Sequence, residues 1–177
     1  MLKRLSLASV AVLLGLAPAA AQQVTKPTVE GVTNFARLES TVACAGATKA
    51  MAVPEIKKLG FASMINVRVP TEPGAEIDET AAAAKAAGIR FYNIPFSTQS
   101  PDPMAVDKFI TAITTAGNEP AYISCASGNR AAMMWMVKRM TVDHWDAEKA
   151  GQEAAALGLT SPALKQFAID YAQSHKR

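Results

Sequence analysis

Short apolar runs rich in β-branched and aromatic residues alternate along this chain with Ala-rich or amphipathic stretches, and Gly or Pro punctuates the joins. No other feature constrains the fold as much. Residues 35–44, 64–69, 89–96 and 121–124 read as strands. Between and after them lie helical stretches. The first, 54–59, opens at Pro54 and stops at Gly60, and 75–87 is Ala-rich and closed by Gly88. In 104–115, Val106, Phe109, Ile110 and Ile113 fall at helical spacing. Further helices are expected over 131–140, 146–157 and 162–175, and 97–103 is a polar, Pro-rich loop. Strands separated by helices need crossover connections. The pattern therefore predicts an α/β fold in one domain, with a mostly parallel central sheet flanked by helices.

The N-terminus sets the compartment. Lys3 and Arg4 precede an apolar run over 5–16, followed by Pro18 and then Ala19-Ala20-Ala21 before Gln22. This is the pattern of a secretory signal peptide over 1–21, and the run is shorter than the about 20 residues of a spanning helix. The expected location is periplasmic or secreted, with no membrane association after cleavage. Residues 22–31 are polar and expected to be a flexible lead-in to a domain over 32–177.

Composition narrows the function. The net charge of +3 is small and scattered, which argues against a nucleic-acid partner. Two cysteines exclude a disulfide scaffold and a Cys-only zinc site, and neither His144 nor His175 is spaced for a metal. No cofactor and no metal are expected.

One segment carries chemistry: Ser124-Cys125-Ala126-Ser127-Gly128-Asn129-Arg130, between an expected strand and an expected helix. Sites in open α/β sheets form beyond the carboxyl ends of strands, where this turn falls. Small residues and Gly128 let backbone N–H groups of Ala126, Ser127, Gly128 and Asn129 converge, and a helix N-terminus behind them adds to an anion cradle. Such a setting favours a thiolate at Cys125, and Arg130 supplies a fork of donors for a tetrahedral oxyanion. A thiolate in that cradle is a nucleophile toward phosphorus or sulfur.

These residues also carry a resemblance. The strand Ile65-Asn66-Val67-Arg68, then Glu72, a helix, Gly88-Ile89, Tyr92-Asn93-Ile94-Pro95 and finally Cys-x-x-Gly-x-Arg resemble the dual-specificity tyrosine phosphatases. More narrowly, the chain resembles the phosphatase-like domain of beta-lactamase-hydrolase-like proteins, over about 32–159. The resemblance implies a phosphatase fold and a phosphocysteine mechanism. Cys125 attacks, the loop amides and Arg130 hold the phosphoryl oxygens, water releases phosphate, and an acid on a neighbouring loop protonates the leaving oxygen. The substrate is then a small-molecule or protein phosphoester. The chain departs from that pattern in four places. Ser124 stands where His is usual, four residues rather than five separate Cys125 from Arg130, and Ala131 follows the Arg where Ser or Thr is usual. The expected acid loop reads Phe96-Ser97-Thr98-Gln99 without a carboxylate, leaving Asp102 as the nearest acid candidate or, in the alternative, a helix cap. The four-residue spacing resembles the rhodanese sulfurtransferases, which implies instead a persulfide on Cys125 and a sulfane-sulfur donor. A non-catalytic anion- or protein-binding module is the third reading.

The remaining candidates have plainer expectations. Cys44 is a small buried strand residue or a disulfide partner for Cys125. Met133, Met134, Met136 and Met140 fill a core rather than hold copper. Arg68 and Glu72 form an ion pair near the loop, His144 belongs to a turn beside Trp145, and Lys138 and Arg139 are a solvated helix end.

Overall fold

The computed structural model describes residues 23–175; the signal peptide expected over 1–21 lies outside them. The strands are β1 (Val24–Thr25), β2 (Ala36–Leu38), β3 (Val42–Ala45), β4 (Ser63–Asn66), β5 (Arg90–Asn93) and β6 (Ala121–Ser124). They form one sheet in the order β1-β2-β3-β6-β4-β5. β1, β2 and β3 pair antiparallel, whereas β3, β6, β4 and β5 are parallel. The helices are α1 (Val53–Lys58), α2 (Ile77–Ala86), α3 (Pro103–Thr114), α4 (Asn129–Thr141), α5 (Ala147–Ala156) and α6 (Pro162–Ser174). The expected α/β class and mostly parallel sheet are what the chain adopts.

Strand periodicity divides the interior into two cores. Successive side chains point to opposite faces, so Val42, Cys44, Ile65, Ala121 and Ile123 face the side covered by α3 to α6. Ala43, Ala45, Met64 and Tyr122 face the side covered by α1 and α2, where Val53, Ile56 and Ala84 meet them. There Tyr122 stacks on Phe35 and meets Phe61 edge-on, and its hydroxyl shares a 2.6 Å hydrogen bond with Thr48 Oγ1. β6 lies between β3 and β4, so the chain leaves the sheet at its most enclosed strand. Cys125, two residues past Ile123, continues the α3–α6 face and is fully buried.

The structure corrects three expectations. Residues 22–31 are not a loose lead-in throughout: Val24 and Thr25 pair with Leu38 and Arg37, and Val29 is buried. A single strand over 35–44 is instead the β2–β3 hairpin, because Glu39 turns the chain with φ 43° and the N–H of Thr41 bonds back to Leu38 O. Lys138 and Arg139 are not a solvated end. Both are buried and paired, Lys138 with Asp143 at 2.9 Å and Arg139 with Glu153 at 2.7 Å and Asp143 at 2.9 Å, and both lie over the Trp135 ring. The cause is α4 itself, which is buried from Arg130 to Arg139, so its cations must find carboxylates inside the fold. Met133, Met134 and Met136 fill the same core. Among the described residues no helix is long and apolar enough to cross a membrane.

Candidate functional site

The loop of residues 125–128 leaves β6 and runs into α4, whose first residue is Asn129. Main-chain bonds seat it against β3. Cys125 N–H donates to Ala45 O at 3.1 Å and Ala47 N–H donates to Ala126 O at 3.0 Å. Asn34 Nδ2 donates to Ser127 O at 3.0 Å. Two backbones approach closely here, which is why residue 46 is glycine: a Cβ on Gly46 would sit 2.3 Å from Thr33 Oγ1 and 3.1 Å from Ala126 O.

With the carbonyls of Ala126 and Ser127 used on that side, the amides take the other. Gly128 takes the left-handed conformation, φ 97°, that a side chain resists, and turns its N–H onto Cys125 Sγ at 3.0 Å. The N–H groups of Ala126 and Ser127 have no acceptor among the described residues, and those of the first turn of α4 have none within the helix. Ala126 and Ser127 are exposed, Gly128 is buried, and the sulfur lies beneath them with no exposed surface. Asn129 faces away from the ring. Its Oδ1 accepts from the N–H groups of Thr160 and Ser161, at 2.8 and 2.9 Å, and ties the α5–α6 connection to the start of α4.

Arg130 is held from two sides. Its Nη1 and Nη2 each donate to one oxygen of Glu72 at 2.7 Å, and Nη1 also donates to Phe96 O at 2.8 Å. Burial works against its charge. The hydrogen bonds to Glu72 and the field of Cys125 outweigh that and keep its pKa above the ordinary arginine value. The Arg130 bonds hold the Glu72 carboxyl down at about 2, against a burial effect that raises it, and the Val69 N–H and Arg68 assist. Arg68 fixes the loop that carries Glu72, donating to Pro73 O and Gly74 O at 2.6 Å each. Its contact to Glu72 is longer, at 3.4 Å.

The fold thus sets Gly128 N–H on the Cys125 sulfur and Arg130 beside it, with Ala126 and Ser127 exposed above and Asn129 opening α4. Asp102 is used differently: it is exposed and caps α3, its Oδ1 accepting from Met104 N–H at 2.9 Å. Glu72 is the residue whose main role the sequence hid, since its neighbour Arg68 looked like its partner. The expectation of an ion pair near the loop holds, but the stronger pairing is to Arg130. Asn34 and Gly46 were missed too, and the small-residue run Ala43-Cys44-Ala45-Gly46-Ala47 was the available signal for a close backbone approach. A cleft of about 580 Å³ adjoins the ring, lined by Ser127 and Asn129 together with Lys26, Val29, Leu157 and Thr160. Neither Cys125 nor Arg130 lines it.

Solved structures share this fold. A DUF442 protein from Shewanella putrefaciens CN-32 superposes with a TM-score of 0.70 at 16% identity, over 84% of this chain and 97% of its own. The catalytic core of the PP-IP phosphatase SIW14 from S. cerevisiae, in complex with citrate, gives 0.64 at 16% identity over 80% and 87%. A cysteine-to-serine form of P. aeruginosa TpbA, in complex with pTyr, gives 0.59 at 16% identity over 90% of each chain. A search of the curated proteins finds no match. The model of the beta-lactamase hydrolase-like protein, phosphatase-like domain, matches residues 34–142, from the asparagine that seats the loop to the end of α4. A phosphatase-like fold with the matched sequence running through this ring places the chain in a family: it belongs to the phosphatase-like domain family of beta-lactamase hydrolase-like proteins.

Proposed function

We propose that this protein is a cysteine-dependent phosphatase acting on phosphomonoesters, with Cys125 as nucleophile. The amides of Ala126, Ser127, Gly128 and Asn129 receive the phosphoryl oxygens and Arg130 closes the ring. One observation carries the reading: Gly128 N–H points at Cys125 Sγ from 3.0 Å, in a loop that ends at a helix N-terminus. Donors aimed at one sulfur are what an attacking thiolate and a phosphoryl dianion both need. The grip of Glu72 and Phe96 O presets the plane of the Arg130 guanidinium, so the clamp needs little reorganisation on binding. Because the sulfur is sealed, the ring must widen around the incoming phosphoryl group. A fold neighbour bound to phosphotyrosine supports a phosphoester substrate. Export over the 1–21 signal is part of the proposal, which places the enzyme in a periplasm or outside the cell.

The test is phosphate release from an aryl phosphate by reduced protein. The expected result is turnover lost by at least about 10³-fold in Cys125→Ser, with Arg130→Lys also impaired because a point charge does not replace the fork. A second reading, sulfur transfer through a Cys125 persulfide, rests on the four residues between Cys125 and Arg130. Thiocyanate formed from thiosulfate and cyanide, without phosphate release, would establish it instead. Silence in both assays would leave an anion- or protein-binding module.

A further inference from the structure

We infer that, on the phosphatase reading above, this site works without a general acid and so is confined to phosphoryl substrates whose leaving oxygen departs as a stable anion: phosphoric anhydrides, acyl phosphates and aryl phosphates.

Among the described residues, the carboxylates nearest the loop, Glu72 and Asp102, are engaged elsewhere, and both histidines lie at the far ends of helices. The segment after Phe96 is fixed beside the ring, because Phe96 O accepts from Arg130. That segment reads Ser97, Thr98, Gln99, Ser100 and Pro101, none of which is an acid at neutral pH. The carboxylate nearest in sequence, Asp102, is engaged at the start of α3, a helix anchored in the core by Val106 and Phe109. Reaching toward the ring would uncap that helix. Glu72 does touch the site, but Arg130, Val69 N–H and Arg68 occupy both its oxygens, and it is ionised at any ordinary pH.

The histidines are excluded by distance. His144 follows the C-terminal end of α4, a helix of 13 residues whose N-terminal end closes the ring, which sets it about 20 Å away. The N-terminus of α6 is tied to Asn129 through Ser161, and His175 follows the far end of that 13-residue helix, about 20 Å from that tie and about 12 Å along the helix from Phe167, which packs on Phe96. There it stacks on Tyr171.

The chemistry balances without a donated proton. The thiolate pair of Cys125 forms the S–P bond as the P–O bond breaks, and the leaving oxygen keeps the electron pair of that bond. Water then attacks phosphorus, the S–P pair returns to sulfur, and inorganic phosphate leaves carrying both protons of the water. Because the leaving oxygen bears full charge in the first step, its basicity controls the rate.

The experiment is a series of aryl phosphates whose phenols span pKa values from about 5 to about 10, extended by acetyl phosphate and by O-phosphoserine as an alkyl ester. Each is measured as kcat/KM across pH with wild-type protein and with Cys125→Ser. The expected result is a fall of about tenfold for each unit of leaving-group pKa, no turnover of O-phosphoserine, and no loss of rate on the alkaline side of the pH profile. A nearly flat dependence on the leaving group, or an alkaline fall in rate that steepens the series when Asp102 is changed to Asn, would return a carboxylic acid to the site and overturn the inference. Cys125-dependent turnover that is insensitive to the leaving group refutes the inference alone. Absence of turnover with even the best leaving group refutes the phosphatase reading beneath it.

Discussion

Glu72 and Arg130 stand 58 residues apart in sequence and meet through two parallel hydrogen bonds of 2.7 Å. The pairing joins the loop after β4 to the helix after β6, so the ring around Cys125 is braced from a different crossover unit than the one that builds it.

Removing that brace has a two-part consequence. Glu72→Gln keeps the shape but loses the charge, and vanadate binding is expected to weaken by about 10-fold or more as Arg130 loses its fixed plane. Glu72→Ala also costs about 2 kcal/mol of stability, below the range for fully buried pairs because the Glu72 side chain is 24% exposed. Vanadate titration and urea unfolding of both variants check the two parts separately.

Acid tests the same pair. The Glu72 carboxyl is lowered to about 2 in the fold, against about 4.3 in an unfolded chain. A lowered carboxyl contributes stability that is present above the unfolded value and lost as the pH falls through the folded one. Urea unfolding between pH 5 and pH 2 is therefore expected to show a steeper decline for wild type than for Glu72→Gln. Parallel declines would show that the pairing adds nothing in solution.

The close approach at Gly46 predicts a coupled pair of substitutions. Gly46→Ala puts a methyl group against Thr33 Oγ1 and Ala126 O, and is expected to cost about 2 kcal/mol and to lower Cys125-dependent activity. Thr33→Ala in the same chain removes the nearer contact and should recover part of the stability. The contact to the Ala126 carbonyl remains, so recovery is incomplete. Thermal unfolding of the single and double variants reads the coupling.

Cys44 is expected to stay out of any disulfide. It pairs in register with Ile123, and Cys125 lies two residues further on, just past the end of β6. Strand spacing and rise then separate the two Cα atoms by about 8 Å, beyond the about 7 Å a bridge tolerates. Burial first, then the charges of Cys125 and Glu153, push the Cys44 thiol pKa well up, so it is a poor nucleophile. Thiol counting on denatured protein should find two free thiols with or without prior reductant, and none in the unreduced sample would overturn the geometry.

The buried cations of α4 supply a stability test away from the ring. Glu153 accepts from Trp135 Nε1 at 2.6 Å and Arg139 Nε at 2.7 Å. Glu153→Ala leaves both donors buried without that acceptor and is expected to cost about 3–5 kcal/mol. Calorimetry of the variant against wild type measures it, and a loss under about 1 kcal/mol would show that Arg139 relaxes toward Asp143.

Much of this molecule is written in local pattern. The alternation of runs such as 64–69 and 121–124 with helical stretches specifies an α/β fold, because side-chain periodicity decides which elements bury which face. Small residues and a glycine between strand and helix likewise mark the turn at Cys125, since backbone freedom and the end of a strand are local properties. Polar segments 22–31 and 39–41 misled because a single strand pair, or one residue at positive φ, leaves almost no imprint on composition.

What only the tertiary structure decided are the partnerships at long separation. That Arg130 turns to Glu72 and Phe96 O, that Asn129 holds Thr160 rather than the ring, and that Lys138 and Arg139 are inside the protein all depend on which crossover lies beside which. A charged side chain reads the same in sequence whether water or a buried carboxylate receives it. Desolvation distinguishes the two only once the chain has closed around it.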